Sequence, residues 1–162
     1  MKTLHIVRHG KSSWDLPGIS DVDRPLIEKG IVNNYMMAEG IKLKYSVPEI
    51  IYCSPAIRAI HTAIIFSMVM RVNFNAIIIK SNFYESAVSA VLDIIEESKS
   101  SINNLMIVGH NPVFTELANL FLPENIANIP TSGIVTLQFD LKNWKISHKT
   151  PVSSNIGFPK KD

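Results

Sequence analysis

Short apolar runs alternate with longer stretches of helical period along most of the chain. Thr3 to Val7 reads as a first strand and runs straight into Arg8-His9-Gly10. A loop carrying Pro17, Gly18 and Pro25 then leads to a helix from about Ile27 to Lys44, with Gly30 and Gly40 as its weak points. Glu49 to Cys53 is a second strand. Ser54 as N-cap and Pro55 at the first helical position predict a helix to Met70. Ala76 to Ile79 gives a third strand, and Ala87 to Ser98 a helix with Val88, Val91, Leu92 and Ile95 on one face. Asn104 to Val108 is a fourth strand, which Gly109-His110-Asn111-Pro112 turns into a helix from about Pro112 to Leu122. The pattern changes after that. Gly133 to Asp140 and Asn143 to Lys149 are consecutive strand candidates, predicting an antiparallel hairpin at a sheet edge. The tail from Pro151 to Asp162 is expected to be loose or only partly pinned.

Strand–helix alternation followed by an antiparallel pair predicts a three-layer α/β/α sandwich around a mostly parallel sheet with an antiparallel edge strand. With no repeat or linker visible, residues 1–162 are expected to form one domain. Ligands in such sheets bind beyond the carboxyl ends of the strands. Arg8-His9, Ser54, Phe83-Tyr84-Glu85 and His110 all follow strands, so all are expected on one rim.

Composition narrows the function classes. Lys and Arg number 16 against 14 Asp and Glu, a net charge of +2 too small and dispersed for a nucleic-acid or membrane footprint. The single cysteine, Cys53, sits in an apolar run and is expected to be a buried, inert thiol. The longest apolar stretch, Ala63 to Val72, is broken by Ser67 and Arg71 and falls short of the ~20 residues of a membrane helix. The N-terminus enters a strand without a leader-like segment, so a soluble cytoplasmic protein is expected.

Three strand-end segments carry chemistry. In Arg8-His9, arginine offers a fork of donors matched to phosphate oxygens, and a neutral imidazole is a competent nucleophile near pH 7. In Ser54-Pro55-Ala56-Ile57-Arg58, the arginine falls in a first helical turn, where guanidinium and helix N–H groups can address one anion. In Val108-Gly109-His110-Asn111, a second histidine is suited to the charge that grows on a transferring phosphoryl group. A metal held by His9 and His110 needs a third ligand and supporting carboxylates, so no metal or other cofactor is expected.

Together these segments resemble the histidine phosphatase (phosphoglycerate mutase-like) superfamily, and most closely its short branch of SixA-like phosphohistidine phosphatases. The resemblance runs from Leu4 to about Trp144. It rests on Arg8-His9-Gly10-Lys11-Ser12, Asp23-Arg24-Pro25-Leu26 with Gly30, Ser54-Pro55-Ala56-Ile57-Arg58-Ala59 with Thr62-Ala63, and Val108-Gly109-His110-Asn111-Pro112. It implies that His9 takes the phosphoryl group and passes it to water, with Arg8, Arg58 and His110 forming the phosphate pocket and no metal required. It also implies that the carbonyl around Gly10 orients His9, and Ser12 and Asn111 are added as substrate contacts. Larger relatives use a carboxylic acid to protonate the leaving group. Glu85 is the best-placed candidate, Asp15 and Asp21 are runners-up, and a dipole-favoured carboxylate at a helix start is the competing reading of Glu85. Arg24 is expected at the pocket rim or in a structural role, and His5, His61 and His148 in packing or at the surface. The expected activity is a phosphatase for phosphohistidine on a phosphorylated protein. A phosphomonoesterase for small phosphorylated substrates, a mutase and a non-catalytic phosphate-binding module are the alternatives.

Overall fold

The computed structural model describes residues 1–160. Its elements are β1 (Lys2–Arg8), α1 (Glu28–Lys42), β2 (Ile50–Cys53), α2 (Ile57–Met70), β3 (Ile77–Ile79), α3 (Val88–Glu96), β4 (Asn104–Gly109), α4 (Val113–Asn119), β5 (Ile134–Phe139) and β6 (Ser153–Gly157). The strands form one sheet in the order β3-β2-β4-β1-β5-β6. β1, β2, β3 and β4 run parallel, and β5 is antiparallel to both β1 and β6.

Side-chain alternation along the strands splits the core between the two faces of this sheet. Leu4 and Ile6 of β1 and Leu105 and Ile107 of β4 pack with Val91 and Ile95 of α3 and Phe114 and Leu117 of α4. Val7, Met106 and Val108 point the other way, onto Ala38 and Ile41 of α1 and Ala59, Ala63 and Phe66 of α2. Helices therefore cover both faces, in the three-layer α/β/α arrangement expected. Among the described residues no helix is long and apolar enough to cross a membrane.

The edge pair differs from the sequence reading. The partner of β5 is Ser153–Gly157, not Asn143 to Lys149. Trp144 and Ile146 do alternate, but both are fully buried against the core, with Trp144 Nε1 donating to the Ile102 carbonyl at 3.0 Å. They close the bottom of the core. His148, expected in an edge strand, is exposed and has a left-handed backbone (φ 60°). The tail expected to be loose supplies β6, held by its backbone ladder although most of its residues are exposed. Residues 161 and 162 lie outside the described part. The reversed strand is thus β5, one place in from the edge, while β6 runs with the parallel set.

A second difference concerns the start of α2. Its N-cap is Ala56, which makes no side-chain cap. Ser54 sits before the helix, where its hydroxyl accepts from Ala56 N–H at 3.3 Å and lies 2.7 Å from His110 Nε2.

Candidate active site

The carboxyl ends of β1 and β4 deliver His9 and His110 to a cleft of about 720 Å³, which Arg8, Arg58, Asp21 and Tyr84 also line, while Ser54 after β2 is buried behind His110. The strand order places β4 between β1 and β2, so residues distant in sequence meet there.

His9 is 8% exposed, and its Nδ1 lies 2.7 Å from the Gly10 carbonyl. A carbonyl can only accept, so Nδ1 carries the proton and Nε2 keeps its lone pair. Burial is the main reason His9 falls to about 3, with the nearby His110, Arg58 and Arg8 charges adding to it against the raising effect of the Gly10 carbonyl. The ring is therefore neutral at pH 7. Its position is held from below. Gly10 N–H donates to Thr62 Oγ1 at 3.0 Å, and that hydroxyl also accepts from Asn34 Nδ2 at 3.0 Å and donates to the Arg58 carbonyl at 2.7 Å. Helices α1 and α2 are thereby joined to the turn after β1. The close approach explains two glycines: a Cβ on Gly10 would come within 2.6 Å of Asn34 Nδ2, and one on Gly30 within 2.2 Å of the Lys11 carbonyl oxygen.

Arg58 is 4% exposed at the start of α2. Its Nε lies 3.3 Å from His9 Nε2 and its Nη2 3.5 Å from His110 Nδ1. Nη1 donates to the Asp21 carbonyl at 2.5 Å, and Nη2 to the Asp21 carboxylate at 3.0 Å. Across the cleft, Arg8 Nη1 donates to the Ile129 carbonyl at 2.7 Å, while Arg8 Nε is buried with no hydrogen-bond partner among the described residues. His110 stands 4.9 Å from His9, ring centre to ring centre, and its Nε2 is 2.7 Å from Ser54 Oγ. Burial first, then the Arg58 charge, lowers His110 to about 4.

The remaining sequence candidates fall in different places. Ser12 lines the cleft, but its hydroxyl accepts from Arg24 Nη1 at 2.9 Å and braces that arginine. Asn111 also lines the cleft. Its amide donates to the Ile129 carbonyl at 2.9 Å and to Asn128, and its oxygen accepts from Thr115 at 2.9 Å, so it secures the loop that holds Arg8. Glu85 stands exposed at the rim with a left-handed backbone (φ 55°), and among the described residues no hydrogen bond or ion pair holds its carboxylate. Asp15 lies on the exposed loop, outside the cleft wall. Asp21 is drawn into an ion-paired cluster with Arg58 and Arg24, where the Tyr84 hydroxyl, then the two arginines, hold its carboxyl well below the usual range. Arg24, 7% exposed, is packed under the Trp14 ring at 3.4 Å from its centroid. His5 is fully buried, with Nδ1 2.9 Å from Thr136 Oγ1, and His61 is exposed. Cys53 is buried, and burial raises its thiol beyond any reactive range.

Sequence reasoning missed Asn34, and it missed the supporting roles of Thr62 and Ser54, which it had named only in a motif and as a helix cap on the rim. Thr62 and Asn34 left one signal, a polar residue on the inner face of an otherwise apolar amphipathic helix. The arginine-holding role of Asp21 left none, because it depends on contacts across more than thirty positions of chain.

The model of the histidine phosphatase superfamily (branch 1) matches residues 4–85, a stretch that contains His9, Arg24 and Arg58. The chain belongs to the histidine phosphatase superfamily. It is a hydrolase of phosphoric esters by that membership. Among its relatives is an uncharacterised protein of Mycobacterium tuberculosis, 27% identical over 142 residues, which are 82% of this chain and 86% of the relative. Solved folds agree. The protein histidine phosphatase SixA, complexed with tungstate, superposes with a TM-score of 0.77 at 21% identity, covering 96% of this chain and 94% of that one. An Agrobacterium tumefaciens protein assigned as the phosphohistidine phosphatase SixA gives 0.77 at 23% identity, covering 95% and 97%. An Entamoeba histolytica phosphoserine phosphatase in complex with 3-phosphoglyceric acid gives 0.60 at 18%, covering 96% and 97%. The SixA-like branch supplies the nearer folds of these three.

Proposed function

We propose that this phosphatase, acting as a single domain, removes phosphoryl groups from phosphohistidine on a phosphorylated protein, with His9 as nucleophile. The observation that carries the catalytic part is the tautomer and aim of His9. Its Nδ1–H is committed to the Gly10 carbonyl, so the lone pair of Nε2 faces the edge of Arg58 and the ring of His110. Nε2 attacks phosphorus in line, a P–N bond to His9 forms, and the bond from phosphorus to the leaving group breaks. Arg58, His110 and Arg8, which line the cleft, supply donors for the equatorial oxygens as charge gathers on them. Water then attacks phosphorus, the bond to Nε2 breaks, and orthophosphate leaves with His9 neutral again.

The leaving group separates the two substrate classes. An alkoxide departs poorly unless an acid protonates it. Asp21 is held ionised by Tyr84, Arg58 and Arg24 and cannot donate, and Glu85 is exposed at the rim. An imidazole leaving group takes its proton on the distal ring nitrogen, from solvent, and departs neutral without an acid at the bond. This favours the phosphoramidate. The resemblance to SixA folds points the same way. Glu85 at the cleft mouth favours small phosphomonoesters instead, as does the likeness to a phosphoserine phosphatase fold.

The test is a comparison of a phosphohistidine-bearing carrier protein with a panel of alkyl phosphomonoesters, using wild type, His9→Ala and Glu85→Gln. Faster turnover of phosphohistidine, abolished by His9→Ala and left within twofold by Glu85→Gln, is expected. Wild type should also form an acid-labile, base-stable phosphoenzyme. A phosphoenzyme that survives His9→Ala would refute the nucleophile. Alkyl esters as the better substrates, with a large Glu85→Gln loss, would instead establish the phosphomonoesterase reading.

A further inference from the structure

Arg58 presents two different edges. The outer end of its guanidinium is committed to one residue, with Nη1 on the Asp21 carbonyl at 2.5 Å and Nη2 on the Asp21 carboxylate at 3.0 Å. The other edge, Nε with Nη2, faces His9 at 3.3 Å and His110 at 3.5 Å. A planar fork held at its far end keeps its near edge at one angle, which is what bidentate recognition of a phosphoryl group needs.

Asp21 does not hold that position by burial. Its side chain is 44% exposed, on a short turn at Asp21–Asp23 in the loop after β1. A carboxylate so exposed gains little from an ion pair alone. Three donors converge on it instead: Arg58 Nη2, Arg24 Nε at 2.9 Å, and the Tyr84 hydroxyl at 2.6 Å. Tyr84 comes from the opposite wall of the cleft, between β3 and α3, and bonds the same oxygen, Oδ2, that receives Arg58. Its ring stands edge-on to His110, 5.6 Å between centroids, so the phenol is fixed at both ends.

We propose that Tyr84 and Asp21 are positioning residues for Arg58: the phenol hydroxyl fixes the Asp21 carboxylate, which in turn holds the guanidinium edge toward the phosphoryl group. This rests on the reading that Arg58 holds that group. Tyr84 acts through two intermediaries and touches no reacting atom.

A double-mutant cycle on the full-length chain tests it, with p-nitrophenyl phosphate turnover and tungstate inhibition as readouts. Tyr84→Phe removes only the hydroxyl. It is expected to lower kcat/KM roughly tenfold, the scale of one hydrogen bond to a charged group, and to weaken tungstate by a similar factor, with the urea midpoint unchanged. Asp21→Asn should lower both further. In an Arg58→Lys background, which keeps the charge and loses the fork, Tyr84→Phe should change kcat/KM less than twofold. Tyr84→Phe within twofold of wild type overturns the proposal. An equal loss in both backgrounds overturns it too, since the phenol would then act on substrate directly. An unimpaired Arg58→Lys would instead remove Arg58 from the phosphoryl pocket, a different failure.

Discussion

Replacing Thr62 by valine keeps the side chain's shape and deletes one oxygen from the interior. Thr62 is fully buried, and its hydroxyl accepts from Gly10 N–H and Asn34 Nδ2, both at 3.0 Å, while donating to the Arg58 carbonyl at 2.7 Å. Thr62→Val therefore strands two buried donors. A stranded buried donor costs about 1–3 kcal/mol, so the pair amounts to about 2–6 kcal/mol. That is a large share of the roughly 5–15 kcal/mol that holds a typical domain folded. Asn34 has no relief to offer, because its Oδ1 is already buried without a partner among the described residues. Thr62→Ser is the control. It keeps the oxygen and loses one methyl, for about 1 kcal/mol. Urea unfolding of the three proteins at pH 7 measures both differences by linear extrapolation. Because the Gly10 carbonyl orients His9, Val should also lower kcat more than Ser does. A valine variant within about 1 kcal/mol of wild type, or a serine variant as unstable as valine, would refute the view that this hydroxyl joins the helices to the turn after β1.

Other expectations follow from single observations. Burial lowers His5 to about 4, His9 to about 3 and His110 to about 4, so all three are neutral in the fold at pH 7. Unfolded histidines titrate near 6.5, so between about pH 4 and 6.5 the unfolded state binds more protons. Stability should thus fall as pH drops from 7.5 to 5.5, and an unchanged urea midpoint would contradict buried neutral imidazoles. The same lowering predicts that kcat/KM shows no acid limb near pH 6.5 from the enzyme; a limb there that His110→Asn removes would count against it. Two glycines of α1 should behave oppositely. Gly30→Ala puts a Cβ within 2.2 Å of backbone and should cost more than about 2 kcal/mol, whereas a Cβ on Gly40 meets nothing within 4 Å and Gly40→Ala should stabilise by about 0.5–1 kcal/mol. Melting temperatures that move the same way for both would show that helix propensity, not the crossing at Lys11, governs them.

How much of this was legible beforehand depended on the range of the interaction. Hydrophobic period is a local signal, and it placed the four helices and the first five strands within a few residues. It also put Arg8-His9, Ser54 and His110 at strand ends, from which a shared rim follows by the geometry of parallel sheets. Helix α1 and the Asn143 to Lys149 segment mark the limits of that signal. The first begins and ends within two residues of expectation, while the second has a strand's alternation and is a core plug, because Trp144 and Ile146 reach a pocket that only the folded sheet creates. Strand β6, Ser-Ser-Asn-Ile-Gly, carries no apolar alternation at all, since its place comes from the free edge of β5 rather than from burial.

The sequence by itself determined which residue types stand at the strand ends: a histidine beside an arginine, a helix-start arginine and a second histidine. Tertiary structure alone decided their states. Which nitrogen of His9 is bare follows from the Gly10 carbonyl, and its neutrality follows from burial and from Arg58 and His110, which lie far along the chain. Asp21 looked like a spare acid and became an arginine holder, because Tyr84, 63 residues away, meets it across the cleft. Periodicity records which face a residue presents. Charge state and hydrogen-bond direction depend on neighbours that only folding brings within a few ångströms.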